Sequence, residues 1–191
     1  MENDAGPSWL LLAYTLPREP SRYRVSVWRR LRKLGAVHLN EGFWVLPNSS
    51  AMRSELDGVI REVQSYNGTP CAFISSDIDS EQSERLRAKF LEARDEEYRE
   101  LQGQYDKFVL HVDHARSTRR FTFAEVEELE EEITKLERWL TEVSERDTFV
   151  SPQRAVTAAS LGQGRELLQR FTEETYAESQ DSKQADAVDT L

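Results

Sequence analysis

The feature that most constrains the fold is the order of three elements in the first 47 residues. An apolar run, Trp9–Leu16, stops at Pro17, and an arginine-rich segment with helical periodicity follows from Ser21 to Leu34. Two short runs come next, Ala36–Leu39 and Phe43–Pro47, with a turn between them. Strand, helix and tight hairpin in this order predict the opening of a split β-α-β unit.

The chain then repeats the helix and strand parts of this order. Asn48–Ser50 is a suitable cap for a helix that ends at Asn67–Gly68, and Pro70–Ile74 follows as a strand. We therefore predict a ferredoxin-like βαββαβ domain over residues 9–79, with its helices on one face of an antiparallel sheet. Residues 1–8 are expected to be a flexible N-terminus.

Two long segments with helical periodicity follow, and they predict an antiparallel helical hairpin at residues 80–146. The break between them falls at Ser117–Arg120. The second helix has a clear N-terminal signature, in which Thr122 is the N-cap and Glu125 closes a capping box. Apolar residues then recur at heptad spacing up to Val143. The acidic outer face is most simply solvated, and the alternative is that the hairpin is a dimerisation arm.

The last part of the chain carries weaker signals. Ser151–Arg154 predicts a turn and Gly162–Tyr176 a helix, so we assign residues 147–176 to a turn and a C-terminal helix. Residues 177–191 are polar and acidic, which predicts disorder. The whole chain is expected to be an α+β protein.

Positive charge is concentrated in the first helix. Residues 9–40 hold seven Arg or Lys and one acid, whereas the whole chain has a net charge of −10. A charge run is commonly just the solvated face of an amphipathic helix. A positive region on a negative protein, however, concentrates the field for an anionic partner. The candidate nucleic-acid or anion-binding residues are Arg22, Arg29, Arg30, Arg32 and Lys33, with Arg119 and Arg120 in the later turn.

Other chemistry is sparse, and we predict no catalytic residue, no metal site and no cofactor. His111 and His114 lie one helical turn apart with Asp113 between them, but a third firm ligand is missing. The single cysteine, Cys71, excludes an intramolecular disulfide. No apolar run is long enough to span a membrane, and the acidic N-terminus lacks the basic region of a signal peptide, so we expect a cytoplasmic protein.

Several short motifs resemble the N-terminal domain of the ChrB-type chromate resistance proteins, over residues 9–175. They are Trp9–Leu12 with Leu16-Pro17, Val27–Leu31 with Leu34–Ala36, Val45–Pro47, Ala93–Asp95 with Tyr98, and Arg146-Asp147 with Phe149 and Pro152. The resemblance implies a chromate-responsive transcriptional regulator, with DNA as partner and chromate or another oxyanion as effector. Full-length members also carry a C-terminal chromate-related domain, which we do not expect in this chain.

The opening also resembles, more distantly, the ferredoxin-like domain of PaaX-type repressors and the small CRISPR-associated ferredoxin-like nucleases. Those nucleases carry a metal-binding aspartate at the end of the first strand, where this chain reads Tyr14-Thr15-Leu16-Pro17. Our leading hypothesis is a non-enzymatic, DNA-binding regulator that uses the basic helix. The first alternative is a protein-interaction module, in which the basic face docks an acidic partner and the hairpin forms a homodimer. The second is an enzyme that acts on chromate or nucleic acid.

Overall fold

The computed structural model of the chain describes residues 8–40, 42–75 and 79–188, with the backbone alone for Asn40 and residues 182–188. The α+β prediction is confirmed. The elements are β1 (Trp9–Thr15), α1 (Arg22–Lys33), β2 (Val37–Asn40), β3 (Phe43–Pro47), α2 (Ser50–Ser65), β4 (Thr69–Ser75), α3 (Ser80–Ser117), α4 (Phe123–Glu145) and α5 (Pro152–Val188).

The chain divides into two compact units. The first, which we call the sheet unit, runs to Ala93 and also includes Arg146–Phe149. The second, the helical unit, comprises Arg94–Glu145 and the chain from Val150 onward. The division therefore falls within α3, whereas the sequence suggested a boundary at residue 80. The first turns of α3 belong to the sheet unit because their apolar side chains pack there.

The sheet has the strand order β2-β3-β1-β4, and each neighbouring pair is antiparallel. This is the order of the predicted ferredoxin-like arrangement, with the two helices on one face. On that face, α1 and α2 pack on the inward side chains of β1 and β3. The buried residues of this core are Leu10, Leu12, Val27, Leu31, Ala36, Trp44, Leu46, Leu56, Val59 and Val63.

The opposite face of the sheet is also covered in part. Trp9 and Val45 are fully buried there, together with Phe90 from the start of α3. The ring of Trp9 lies 5.6 Å from that of Phe90 and 5.8 Å from that of Phe149. This layer differs from the sequence prediction, in which the apolar side chains after residue 80 belong to the hairpin alone.

In the sheet unit, the helix ends follow the predicted signals with one exception. Ser49 caps α2 by accepting a hydrogen bond from the Met52 amide at 3.1 Å. Gly35, with φ of 76°, takes the left-handed position after α1, and Gly42, with φ of 116°, does so in the β2–β3 turn. Ser21 occupies the N-cap of α1 but has helical backbone angles, and its side chain makes no capping hydrogen bond.

In the helical unit, three helices share one core. The buried residues are Leu101, Phe108, Val112 and Ala115 of α3, Leu129, Ile133 and Leu136 of α4, and Leu161, Leu168 and Phe171 of α5. The predicted hairpin helices α3 and α4 thus contribute to a common core. The apolar stripe of α4 has a second partner within the chain, the helix α5, so the stripe itself gives no reason to invoke a dimerisation arm.

The C-terminal part differs from the sequence prediction. In place of a turn at Ser151–Arg154, the structure begins α5 at Pro152, and the Ser151 hydroxyl accepts a hydrogen bond from the Gln153 amide at 3.0 Å. Proline is well suited to the first turn of a helix, where its missing N–H costs no hydrogen bond. The helix reaches Val188, so residues 177–188 are helical where the sequence predicted disorder.

The reason for this longer helix is visible in its packing. Phe171 and Thr175 are fully buried, which fixes the preceding turns of α5. Most of the residues after Thr175 are polar but are acceptable helix formers, so the helix can propagate from an anchored segment. Residues 189–191 and 1–7 lie outside the described residues. Within the part of the chain that is described, no helix combines the length and apolar character needed to cross a membrane.

Candidate anion-binding face and pocket of α1

Three of the predicted cations form a basic stripe on the outer face of α1. Val27 and Leu31 are fully buried against the sheet, so the opposite side of the helix faces solvent. Arg22, Arg29 and Lys33 are exposed on that side. The helix carries six cations and no acid. Part of this charge has a local explanation, because cations in the last turn of a helix interact favourably with its dipole. That explanation does not extend to Arg22 in the first turn.

Arg30 has a different role from its neighbours. Its Nη1 atom lies 3.2 Å from Oε2 of Glu62, and its Nη2 atom lies 3.7 Å from Glu55. Ser26 donates a second hydrogen bond to Glu62 at 2.6 Å. Gly58 makes room for this arrangement, since a Cβ atom there would collide with the Arg30 guanidinium. Arg30 therefore joins α1 to α2, and its charge is largely compensated.

The neighbouring side of α1 presents an aromatic ring to solvent. Trp28 is 50% exposed, and the guanidinium of Arg32 lies 5.9 Å from the centre of its ring. Val25, one turn earlier on the same side, is also exposed. Stacking of this kind orients the Arg32 side chain along the helix surface. The basic stripe is thus bordered by an exposed indole.

Beside Trp28, the sheet unit contains an open cavity of about 440 Å³. Its walls come from the end of β1, the first half of α1 and the β2–β3 hairpin. The lining residues are Tyr14, Leu16, Arg24, Val25, Trp28, His38, Gly42 and Trp44. Aromatic and imidazole rings make up half of this set, which gives the cavity flat, polarisable walls. We refer to this cavity below as the α1 pocket.

The polar groups of the α1 pocket are few. Burial raises the pKa of the Tyr14 phenol, although a hydrogen bond with the Trp44 side chain works in the opposite direction. A phenol hydroxyl can both donate and accept, so Tyr14 is able to donate a hydrogen bond to a ligand in the pocket. The His38 ring lies 4.8 Å from that of Trp44. Arg24 donates to the backbone oxygens of Pro17 and Arg18, which ties its guanidinium to the preceding loop.

The two remaining predicted cations belong to the helical unit. Arg119 is exposed in the turn between α3 and α4, with a left-handed φ of 54°. Arg120 lies 2.7 Å from Oε2 of Glu125, whose side chain is almost completely buried. The Glu125 amide receives the predicted cap from Thr122 at 3.2 Å, but the carboxylate binds Arg120 and a histidine rather than closing the capping box.

That histidine is His111, and its environment differs from the cluster suggested by sequence. Asp113 and His114 are exposed, whereas His111 turns toward α4. Its Nε2 atom lies 3.0 Å from Glu125, and its Nδ1 atom lies 3.2 Å from Glu132. Burial opposes protonation of the ring, but the carboxylates of Glu132 and Glu125 outweigh it and raise the pKa of His111.

The described residues that come together as possible metal ligands are His111, Glu125 and Glu128, with ligand atoms within 4.8 Å of one another. The Arg120 cation beside Glu125 already balances one of these carboxylates. The arrangement is therefore best explained as an ion-pair network around the buried Glu125 carboxylate. Sequence spacing pointed to His111 but not to its partners, because Glu125 and Glu132 lie on the next helix.

The comparisons with known proteins agree with the resemblance seen in the sequence. A family model described as "Protein ChrB, N-terminal" matches residues 24–182. Among curated proteins, "Protein ChrB" of Cupriavidus metallidurans (strain ATCC 43123 / DSM 2839 / NBRC 102507 / CH34) is 32% identical over 111 residues. That alignment covers 58% of this chain and 32% of the relative, so the chain matches only part of the longer protein. No solved structure matches the chain.

Proposed function

Because the chain belongs to the ChrB N-terminal family, we propose that it is a regulatory protein of chromate resistance that binds DNA through the outer face of α1. The observation that carries this proposal is the exposed stripe of Arg22, Arg29 and Lys33 on a helix without acids. The rest of the molecule is negatively charged, since the net charge of the whole chain is −10. A surface of this sign attracts a polyanion while the remainder of the protein repels it.

The dimensions of the stripe suit a DNA strand. At about 1.5 Å per residue, the eleven residue steps from Arg22 to Lys33 extend roughly 16 Å along the helix. Successive phosphates of one strand follow at about 3.4 Å along the duplex axis, so the stripe can reach several of them. Contacts of this kind fix position and register, and they carry no sequence information. Sequence preference would have to come from side chains next to the stripe.

An oxyanion effector would bind to the same exposed cations of α1. Arginine side chains bind tetrahedral oxyanions through paired N–H donors, so chromate would compete with DNA phosphates for Arg22 and Arg29. Arg30 and Arg120 are less suited to either ligand, because each is paired with a carboxylate of the protein. Of the predicted binding residues, Arg22, Arg29 and Lys33 form the central set, and Arg32 and Arg119 extend it.

The test is the salt dependence of DNA binding. Fluorescence anisotropy would follow a labelled duplex that contains the DNA upstream of the protein's own coding sequence, between about 50 and 200 mM salt. The test variant replaces Arg22, Arg29 and Lys33 with Gln. If these three side chains meet phosphates, the slope of log K against log salt should become shallower by roughly 2 to 3.

A matched control separates local contacts from net charge. Replacing Lys107, Arg154 and Arg170 with Gln removes the same charge from exposed positions of the helical unit. We expect the control to keep a slope close to that of the wild type. Equal slopes in all three proteins would exclude α1 as the binding surface. If polyglutamate competes as well as unlabelled duplex does, the partner is an acidic protein rather than DNA. Chromate added to the same assay tests the effector.

A further inference from the structure

The exposed side chain of Trp28 interrupts a basic surface with a large aromatic ring. This side chain is half exposed. Arg29 is its neighbour in the sequence, and the guanidinium of Arg32 lies over its ring. Proteins that bind single-stranded nucleic acid combine a positively charged track for the backbone with aromatic rings on which bases stack. The basic stripe and Trp28 bring both components together on one helix.

The composition of the α1 pocket narrows the class of ligand. Its walls are formed largely by the planar side-chain rings of Trp28, Trp44, Tyr14 and His38. Leu16 and Val25 contribute aliphatic side chains. A flat heteroaromatic group gains more from such walls than an aliphatic chain does. The volume of about 440 Å³ is within the range of small-molecule sites and accommodates a base with its sugar.

The same walls disfavour a bare oxyanion in the pocket. Among the described residues of its lining, Arg24 is the one permanent cation, and it already donates to two backbone oxygens. A small dianion that entered would lose its hydration without a matching set of donors. A base has a smaller desolvation cost, and its edge has acceptors that suit the Tyr14 hydroxyl. In a bound nucleotide, the phosphates would therefore contact the basic stripe, and the base would enter the α1 pocket.

We propose that the α1 pocket receives an unstacked nucleobase of the DNA whose phosphates lie along Arg22, Arg29 and Lys33. This inference rests on the proposed function and adds to it a preference for DNA with an unpaired base. Extruding a base from a perfect duplex costs unstacking and unpairing energy, whereas an unpaired base enters without most of that cost. Trp28 provides the stacking surface, and Tyr14 provides a hydrogen-bond donor at the base edge.

The experiment compares three labelled probes of the same sequence: the perfect duplex, the duplex with one extra thymine in one strand, and the single strand. The variants are Trp28→Ala and Trp28→Phe, with Phe123→Ala as the control for loss of an exposed aromatic ring in the helical unit. Trp28 is half exposed and outside both sheet cores, so its replacement should leave the fold intact.

We expect the wild type to bind the bulged duplex and the single strand roughly five- to a hundredfold more tightly than the perfect duplex. Trp28→Ala should lose this preference while keeping the salt slope of the wild type. Trp28→Phe should retain most of it, and Phe123→Ala should retain all of it.

Two results would overturn the inference, and each is distinct from failure of the proposed function. One is equal affinity of the wild type for all three probes, and the other is an unchanged preference in Trp28→Ala. If either occurs while the Gln variant of the stripe still flattens the salt slope, DNA binding stands and the base pocket does not. If none of the probes binds, both proposals fail together.

Discussion

Gly164 of α5 gives the sharpest quantitative test of the core of the helical unit. A Cβ atom at this position would lie 2.9 Å from Cδ1 of Ile133 on α4. It would also lie 3.1 Å from Tyr105 and 3.4 Å from Phe108, both on α3. Ile133 is fully buried and Phe108 nearly so, and neither side chain has solvent into which it can move. The missing side chain at Gly164 therefore leaves room for side chains of both α3 and α4.

The chain supplies a matched control two residues earlier. Gly162 lies in the same helix, is exposed, and would place its Cβ atom more than 4 Å from other atoms. Replacing either glycine with alanine should gain about 1 kcal/mol of helix propensity. At Gly162 that gain is the whole effect, so Gly162→Ala should be stabilised by about 1 kcal/mol. At Gly164 the added methyl group overpacks the core, which costs about 1–3 kcal/mol.

The propensity gain is common to the two variants, so their difference isolates the packing cost. We expect Gly164→Ala to unfold about 1–3 kcal/mol more easily than Gly162→Ala. Urea denaturation followed by far-ultraviolet circular dichroism measures this difference, and equal m-values would show that the same surface is exposed in each. A Gly164→Ala protein as stable as Gly162→Ala would refute the tight packing of α3 and α4 side chains against Gly164.

Two further predictions concern ion pairs. The raised pKa of His111 means that its protonated ring stabilises the folded state fully below about pH 6.5, and that this stability is lost as pH rises through the raised pKa. Urea unfolding between pH 6 and 9 should therefore show a smaller loss of stability in His111→Gln than in the wild type, and parallel curves would contradict the network with Glu125 and Glu132. Arg30→Gln should lower stability by less than about 1 kcal/mol, because the pair with Glu62 is partly exposed. Arg30→Gln should also leave the salt slope of DNA binding nearly unaltered. A slope that becomes shallower by about one would instead show that Arg30 contacts a phosphate.

Local signals in the sequence were sufficient for much of the sheet unit. Apolar runs, Gly35 and the Ser49 cap mark where elements begin and end, and the strand order follows from known topologies. The length of α5 could not be obtained in this way. Composition after residue 176 is typical of disorder, but the helix is anchored by Phe171, whose burial depends on helices more than 25 residues away in sequence.

At the candidate site, too, local sequence signals do not reveal contacts between elements that are distant in the chain. The spacing of Arg22, Arg29 and Lys33 is sufficient to place them on one stripe of α1, because side chains at helical spacing share a face. It could not distinguish Arg30, whose partner Glu62 lies on α2, nor find the carboxylates beside His111 on α4. The register between two helices decides such pairs, and no local pattern encodes it. The α1 pocket is a further example, since its walls come from three elements.

The membership of Arg146–Phe149 in the sheet unit has a consequence for how the protein is made. In chain order, the stretch Arg94–Glu145 is an insertion within the sheet unit. At about 5–20 residues per second, a ribosome adds Phe149 roughly 3 to 12 seconds after Phe90. Until then, the packing around Trp9 lacks one of its two aromatic neighbours. The sheet unit therefore completes its second core layer only after the first two helices of the helical unit have been synthesised, and no continuous fragment that ends at Ala93 contains that layer in full.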